Sequence, residues 1–494
     1  MQLGFVIDHE SCIGCHACTV ACKAENNVPV GGFRTSVKYV EEGTFPDVRR
    51  MFLVQRCNHC TKAPCVTICP VNALEKKPNG IVDIDRDACI GCRACMQACP
   101  YDAIYLNEDL GAVEKCHYCA HRIEKNLEPA CVIVCPVGAI ISGDLHNPNS
   151  RIAQIAAGKE TKVRRPEQRT GPNVRYVGVE DVMLNPGQAI RPEMYLWSDR
   201  PPHKGETWPV QLNVQRDARV VLDYGHKVEW GWGVTLYLVT KGIAGGAAML
   251  APFAAMLGLE GFAAKYLPEL IALLFVGLTG LLLVEDLKKP LAFIRLFTRP
   301  NWNSWLVKGA WVINAFVGLI VASLALRWSG MDAAADAVRW GGALAGAAVA
   351  GYTAFLFAQC EGRDLWQSKL LLPHLLVQAV MCGAAALVPF ARGFRFESFS
   401  GVIVIAVLAH LAFALIERYR AHDTDNAKQG AAFLGVVRIG PFKAWRDGLI
   451  IGVAGALLFV SLLQLSAFAF VPALLGLLMY EHAFIRAGQL PPLS

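Results

Sequence analysis

Only two of the eighteen cysteines in this 494-residue chain, Cys360 and Cys382, lie after position 135, and no long apolar run lies before about position 232. Each half lacks what the other has, and a chain of this length exceeds one ordinary core, so two domains are expected. The net charge of +6 averages two unlike halves and points to no partner. No basic stretch is interleaved with aromatic residues, which excludes a nucleic-acid groove, and no nucleic-acid partner is expected. The opening, MQLGFVIDHE, lacks a basic segment followed by an apolar one, and no cleavable export signal is expected. Without export the compartment is reducing, where closely spaced cysteines are metal ligands rather than disulfides. Positions 150 to 229 have prolines and charges without a long periodic run and hold no catalytic constellation, so they read as covering loops and a linker. Their basic stretch GKETKVRRPEQR reads as a solvated or partner-facing surface.

What is present is cysteine in four sets. CIGCHACTVAC supplies Cys12, Cys15, Cys18 and Cys22, and CIGCRACMQACP repeats that spacing with Cys89, Cys92, Cys95 and Cys99. CNHCTKAPCVTICP supplies Cys57, Cys60, Cys65 and Cys69, and CHYCAHRIEKNLEPACVIVCP supplies Cys116, Cys119, Cys131 and Cys135. The spacing is that of bacterial ferredoxins, where three close cysteines hold one [4Fe-4S] cube and the fourth reaches a second. Thiolates are soft ligands suited to iron, and short CxxC turns aim backbone amides at sulfur. Pro70, Pro100 and Pro136 follow the last cysteine of three groups and help turn the chain. Zinc ribbons are the alternative for single CxxC pairs; four complete sets favour iron. Cys360 and Cys382, isolated in apolar text, read as small core residues.

These groups, in this order, resemble the iron–sulfur subunits of the complex iron–sulfur molybdoenzymes, the family of dimethyl sulfoxide, polysulfide, formate and nitrate oxidoreductases. The phrases CNHCTKAPCVTICPVNAL and CHYCAHRIEKNLEPACVIVCPVGAIISGDL carry the likeness, which spans position 1 to about 200. It implies that the first group pairs with the fourth and the second with the third. The implied ligand sets are Cys12, Cys15, Cys18 with Cys135; Cys116, Cys119, Cys131 with Cys22; Cys57, Cys60, Cys65 with Cys99; and Cys89, Cys92, Cys95 with Cys69. Every one of these positions holds cysteine, so four [4Fe-4S] clusters are expected and no three-iron variant.

A membrane span needs about 20 mostly apolar residues. Eight candidates lie near 232–258, 267–286, 305–326, 341–360, 370–391, 399–417, 448–467 and 468–486, and seven spans plus a re-entrant segment is the competing count. Small residues recur, as in GGALAGAAVAG, and permit close helix packing. Loops on the side of the cysteine-rich half hold Lys288, Lys289, Arg295, Arg299, Arg363, Lys369, Arg418, Arg420, Lys428, Arg438, Lys443, Arg446 and Arg486; the opposite side has Lys265, Arg327, Arg339, Arg392 and Arg395. That asymmetry predicts a bacterial inner membrane protein with the cysteine-rich half in the cytoplasm.

EWGWGVTLYLVTKGIAGGAA, LLLVEDLKKPLAFIRLFTRPNWNSWLVKGAWVI and GYTAFLFAQCEGRDLW resemble the NrfD or polysulfide-reductase-type membrane subunits. The likeness covers about 228 to 485 and implies electron exchange with a quinone, menaquinone or ubiquinone, without haem. In some relatives a first-span histidine serves the quinone, and the matching position here is Tyr237. Independently, ionisable groups inside spans are costly and mark function. Tyr237, Lys241, Glu285, Asp286, His374 and His410 all fall in the half of the membrane nearest the cysteines, with Lys241 roughly 15 Å deep. A helix end at the interface is the alternative for Glu285 and Asp286, and hydrogen-bonded packing is the alternative for either histidine.

The expectation is an α+β ferredoxin-like domain with four clusters over 1–200, a linker over 201–229, and an all-α polytopic bundle of about eight transmembrane helices over 230–490. The protein would be a non-catalytic electron-transfer subunit linking a molybdopterin catalytic partner to membrane quinone. Two alternatives stay open: the same wire serves a hydrogenase, flavoprotein or cytochrome instead, or the protein is a redox-driven proton or ion translocator.

Overall fold

The computed structural model describes residues 1–191, 215–225, 228–391, 399–462 and 466–493. Positions 201–214 and 226–227 of the expected linker and the loop arginines Arg392 and Arg395 lie outside the described residues.

Strand Leu3–Asp8 shows how the first half is built. Phe5, Val6 and Ile7 are all fully buried; side chains alternate along a strand, so both faces must be covered. Phe5 and Ile7 join the core around Cys18 and Cys131, while Val6 packs with Ile141 and Ile152 under helix Arg151–Gly158. The strand pairs antiparallel with Ile140–Asp144 and parallel with Val174–Val177. A second sheet runs in the order Ala189–Ile190, Gln215–Leu222, Thr35–Thr44, Asp47–Arg56. The expected linker is therefore corrected in part: Gln215–Leu222 is a strand, antiparallel to Thr35–Thr44. Its alternating QRDARVVL was short and flanked by polar text, which hid it. Two hairpins, Leu74–Lys76 with Val82–Ile84 and Ile104–Asn107 with Ala112–Lys115, each follow a Cys-Pro turn.

Among the described residues the second half has eight helices long and apolar enough to cross a membrane: Trp232–Phe253, Gly261–Glu285, Trp305–Trp328, Asp332–Ala358, Leu371–Phe390, Phe399–Tyr419, Ala444–Ser461 and Phe470–Gln489. By length and composition this matches the expected count of about eight. The fourth begins at Asp332 rather than near 341 because alanine-rich DAAADAVRW favours helix.

Arg339, in that added turn, latches the end farthest from the cysteines. It forms a bidentate pair with Glu269 at 2.6 and 3.0 Å and donates to the carbonyl of Ala264 at 3.2 Å. Pro268 stands four residues after Ala264 within Gly261–Glu285 and has no N–H to offer that carbonyl, so the arginine takes its place. Removing one partner of a buried pair costs about 3–5 kcal/mol. Glu269→Ala is expected to lower the unfolding temperature of the detergent-solubilised protein sharply, whereas Lys265→Ala, which breaks an exposed pair with Asp332, leaves it within a degree or so. Equal melting curves for both variants would refute the latch.

The halves share one core, which runs from Cys57, Cys69, Cys95 and Cys99 to Trp230, Trp366 and the spans. Polar groups seal the joint. Asn301 Nδ2 donates to the Cys69 carbonyl at 2.8 Å, Ser304 Oγ to the Ile68 carbonyl at 2.6 Å, and Arg363 Nε to Gln97 Oε1 at 2.8 Å. Gly362 lies so close to the carbonyls of Cys99 and Gln97 that a Cβ there would stand 2.6 and 2.7 Å from them. The basic run also corrects the reading of it as surface. Arg164 donates to the Leu493 carbonyl at 2.7 Å, Arg165 pairs with Asp364 at 3.2 Å, and both arginines are buried at this joint.

Candidate functional site

Each cysteine loop is bent by residues in the left-handed region. Gly14 and His16 in the first group and Gly91 and Arg93 in the third have φ between 59° and 70°, and His59 and Tyr118 hold the corresponding turn in the other two at 44° and 62°. Such turns point successive backbone N–H groups inward. Only glycine fits at position 14, where a Cβ would stand 2.4 Å from the Phe52 ring. The chain then turns after the last cysteine so that Ala73 N donates to Cys69 Sγ and Ala139 N to Cys135 Sγ, both at 3.3 Å.

The sixteen grouped cysteines line four cavities, four to each: Cys12, Cys15, Cys18 and Cys135; Cys22, Cys116, Cys119 and Cys131; Cys57, Cys60, Cys65 and Cys99; Cys69, Cys89, Cys92 and Cys95. Among the described residues no three His, Cys, Asp or Glu side chains converge as ligands of a single metal ion, as zinc–thiolate bonds of about 2.3 Å would demand. The donor set suits a larger, thiolate-bound guest.

Buried cations support the same fit. Arg56 is 2% exposed, its Nη1 lies 3.2 Å from Cys131 Sγ, and its Nε and Nη2 have no hydrogen-bond partner among the described residues. A guanidinium buried without a carboxylate is costly unless an anion faces it; an iron–sulfur cluster with four thiolates is such an anion. Arg34 lines the same cavity as Cys131, Lys115 lines that of Cys57, and Arg93 that of Cys95. Burial pushes the Cys18 thiol up to about 11 and those of Cys60 and Cys92 to about 12. Neutral thiols are thus favoured there until a metal displaces the protons.

The cavities form a series. Cys18 acts electrostatically on Cys131, Cys116 on Cys57, and Cys65 on Cys95. Cys15 is exposed at one end, within an apolar rim of Ile13, Ile133, Val134 and Val137. At the other end Arg93, beside Cys92, pairs with Asp286 at 2.7 Å and donates to the Glu229 carbonyl at 3.1 Å. Gly91 abuts Lys288 so closely that a Cβ would stand 2.6 Å from it.

Of the membrane residues singled out, Asp286 alone touches a cysteine loop, through Arg93, while Glu285 is exposed at the helix end. Tyr237 and Lys241 are buried on the first span. Lys241 donates to Thr353 Oγ1 and, at 3.2 Å, to the Ala350 carbonyl. His374 and His410 meet directly, Nε2 to Nδ1 at 2.8 Å. Sequence reasoning missed Glu481 and Gln378, which bond one another between the histidines and Lys241. A glutamate within LLGLLMYEHAF was the available signal. It also missed Arg56 and Arg93. Cys360 and Cys382 are fully buried, as small core residues.

Residues 48–145 match the family model of a 4Fe-4S dicluster domain, residues 3–24 that of a 4Fe-4S binding domain, and residues 221–465 that of polysulphide reductase, NrfD. A tetrathionate reductase subunit of Salmonella typhimurium is 43% identical over 203 residues, 40% of this chain and 80% of the relative. A putative dimethyl sulfoxide reductase iron-sulfur subunit of Halobacterium salinarum is 36% identical, covering 49% of this chain and 98% of the relative. A polysulfide reductase chain of Wolinella succinogenes is 39% identical, covering 34% and 90%. The iron–sulfur half and the membrane half as far as residue 465 are thus each matched, and the chain therefore belongs to the family of 4Fe-4S iron–sulfur subunits of polysulfide and dimethyl sulfoxide reductase type, fused here to an NrfD-type membrane part.

Proposed function

We infer that this chain carries electrons between a molybdopterin-containing catalytic subunit and membrane quinone through four [4Fe-4S] clusters held by the sixteen grouped cysteines. The observation that carries this reading is the series of four cysteine-lined cavities, which begins at exposed Cys15 and ends at the Arg93–Asp286 pair. The bound clusters supply one-electron transfer. The protein's part is to hold them with thiolates, offset their charge with Arg34, Arg56, Lys115 and Arg93, and exclude water. The apolar rim around Cys15 suits docking of the catalytic partner. Quinone is placed against the cavity of Cys95, within reach of Tyr237, Lys241 and Asp286, with His374 and His410 supplying protons from farther back. The domains run as 1–200, 201–229 and 230–490, the middle one including a strand. The membrane is a bacterial inner membrane with the iron–sulfur half in the cytoplasm. Lys288, Lys289 and Arg295 of the basic loops hold Glu108 and the carbonyls of Arg86 and Asp87, so part of the charge asymmetry is used in docking the two halves.

Purification from the native membrane is expected to yield a complex containing molybdenum, and its absence would point to another redox partner. Asp286→Asn frees Arg93 from its ion pair beside the last cavity and is expected to slow quinone-linked turnover while dithionite still reduces the clusters. Normal quinone turnover would remove Asp286 from the site. Protease cleavage of the exposed loops at the Cys15 end in sealed vesicles reports its side, and cleavage from the periplasmic face would reverse the orientation.

A further inference from the structure

Polar groups inside the bundle form a line whose two ends both open toward the iron–sulfur half. One end is Glu417, near the close of the sixth span, whose carboxylate accepts from Ser368 Oγ at 2.7 Å and from Arg420 at 3.1 Å. Deeper lies Tyr480, whose hydroxyl has no hydrogen-bond partner among the described residues although it is buried near Glu417 and Glu481. Its ring packs against His374 and His410 at centroid distances of 5.4 and 4.7 Å. His374 Nε2 meets His410 at 2.8 Å and the Gln378 amide at 3.4 Å; Gln378 bonds Glu481, and Glu481 faces Lys241 across the bundle. From Lys241 the line turns back. The ammonium bonds Thr353 and lies 4.9 and 5.7 Å from the rings of Tyr352 and Tyr237. Tyr237 is in electrostatic reach of Asp286, the partner of Arg93.

Beyond Lys241 the bundle is closed by backbone. A Cβ on Gly245 would stand 2.6 Å from the Gly346 carbonyl oxygen, and one on Gly246 would stand 1.7 Å from that of Ala379. Past these contacts the first span reads AAML, the fifth runs apolar from Ala379 to Val388, and the eighth from Phe470 to Met479. Close-packed apolar helices leave no room for water. The next ion pair toward the opposite face, Glu269–Arg339, is engaged with Ser323 and the carbonyls of a kinked helix.

We propose that protons used at the quinone site travel this line and exchange only with the iron–sulfur side, with Glu481 passing them between the histidine pair and Lys241. This rests on the quinone reading above. A quinone gains electrons and protons in equal number on becoming a quinol. Each relay step breaks one O–H or N–H bond and makes another, ending at the quinone oxygen. Electrons and protons then arrive from one face, and turnover moves no net charge across the bilayer.

The full-length protein is placed in sealed lipid vesicles with the iron–sulfur half outward, checked by protease cleavage. It is reduced with dithionite, desalted, and mixed with a short-tailed ubiquinone analogue while pH dyes report both compartments. The external medium should turn alkaline in step with cluster oxidation, with no internal change. Glu481→Gln should slow oxidation by quinone about a hundredfold, leave oxidation by ferricyanide, which takes up no protons, at the native rate, and be largely rescued by Glu481→Asp. Gln378→Leu, which keeps every ionisable group, should also slow the quinone reaction alone, and covers the case in which Glu481→Gln fails to fold. Internal alkalinisation in step with the electrons, or native quinone rates in the folded variants, overturns this inference alone. Reduced clusters that ferricyanide oxidises and quinone does not overturn the quinone reading together with it.

Discussion

Replacing Cys95 with alanine is expected to remove the cluster nearest the membrane, reducing iron from about sixteen to about twelve atoms per chain, and to drop quinone-linked electron transfer to the assay floor. Cys95 lines the last cavity with Cys69, Cys89 and Cys92, so its loss opens the series where it meets the membrane half. The other three cavities keep complete sets, and dithionite should still reduce what they hold. Iron analysis with electron paramagnetic resonance of the reduced protein checks both parts. Full iron content in the variant, or a native protein with about half the iron, would refute the ligand assignment. The helix Ala94–Ala98 that carries Cys95 also presents Gln97 to Arg363 and Gln489, so the variant should be purified in mild detergent and its integrity checked before the iron is counted.

The second large effect concerns Arg56. Its charge lies within the protein, 3.2 Å from Cys131 Sγ and 4.3 Å from the centre of the Phe5 ring, with no carboxylate paired to it among the described residues. A reduced cluster carries one more negative charge than an oxidised one, so the guanidinium favours reduction. A unit charge about 7 Å from the cluster at an effective dielectric constant of about 20 contributes about 2.4 kcal/mol, on the order of 100 mV for one electron. Arg56→Gln should therefore lower the midpoint potential of the cluster at Cys131 by on the order of 100 mV, while Arg56→Lys keeps most of it. A redox titration followed by paramagnetic resonance decides. An unchanged potential in the glutamine variant would mean that solvent or other charges screen this site.

The cysteine framework was legible because cluster chemistry fixes spacing locally. Four thiols must wrap one small object, three of them from one stretch, so CxxC opens every group, CxxCxxC appears in the first and third, and glycine or a tolerant residue recurs where the turn is left-handed. The spans were legible because a bilayer sets their length. What was hidden depends on contacts between distant segments. Arg164 and Arg165 look like surface charges in sequence, yet bury against the C-terminal carbonyl of Leu493 and against Asp364. Lys241 stood out as a charge in apolar text, but Glu481, with which it interacts, lies 240 residues later on another helix. Glu285 and Asp286 are neighbours in sequence and differ only in which way the helix end turns them; one is exposed and the other meets Arg93.

The joint between the halves also bears on how the molecule is made. Gln97, in the helix that carries Cys95, bonds Gln489 at the end of the last span, 392 residues later. Gln489 in turn accepts from the backbone of Trp230 where the first span begins. The eighth span thus completes a contact with segments synthesised long before it. The eighth helix therefore finds these partners only where the helix that carries Cys95 is in shape. Loss of the cluster at Cys95 is then expected to loosen the Gln489 end of the eighth helix, which limited proteolysis of the iron-depleted protein would show as faster cleavage there.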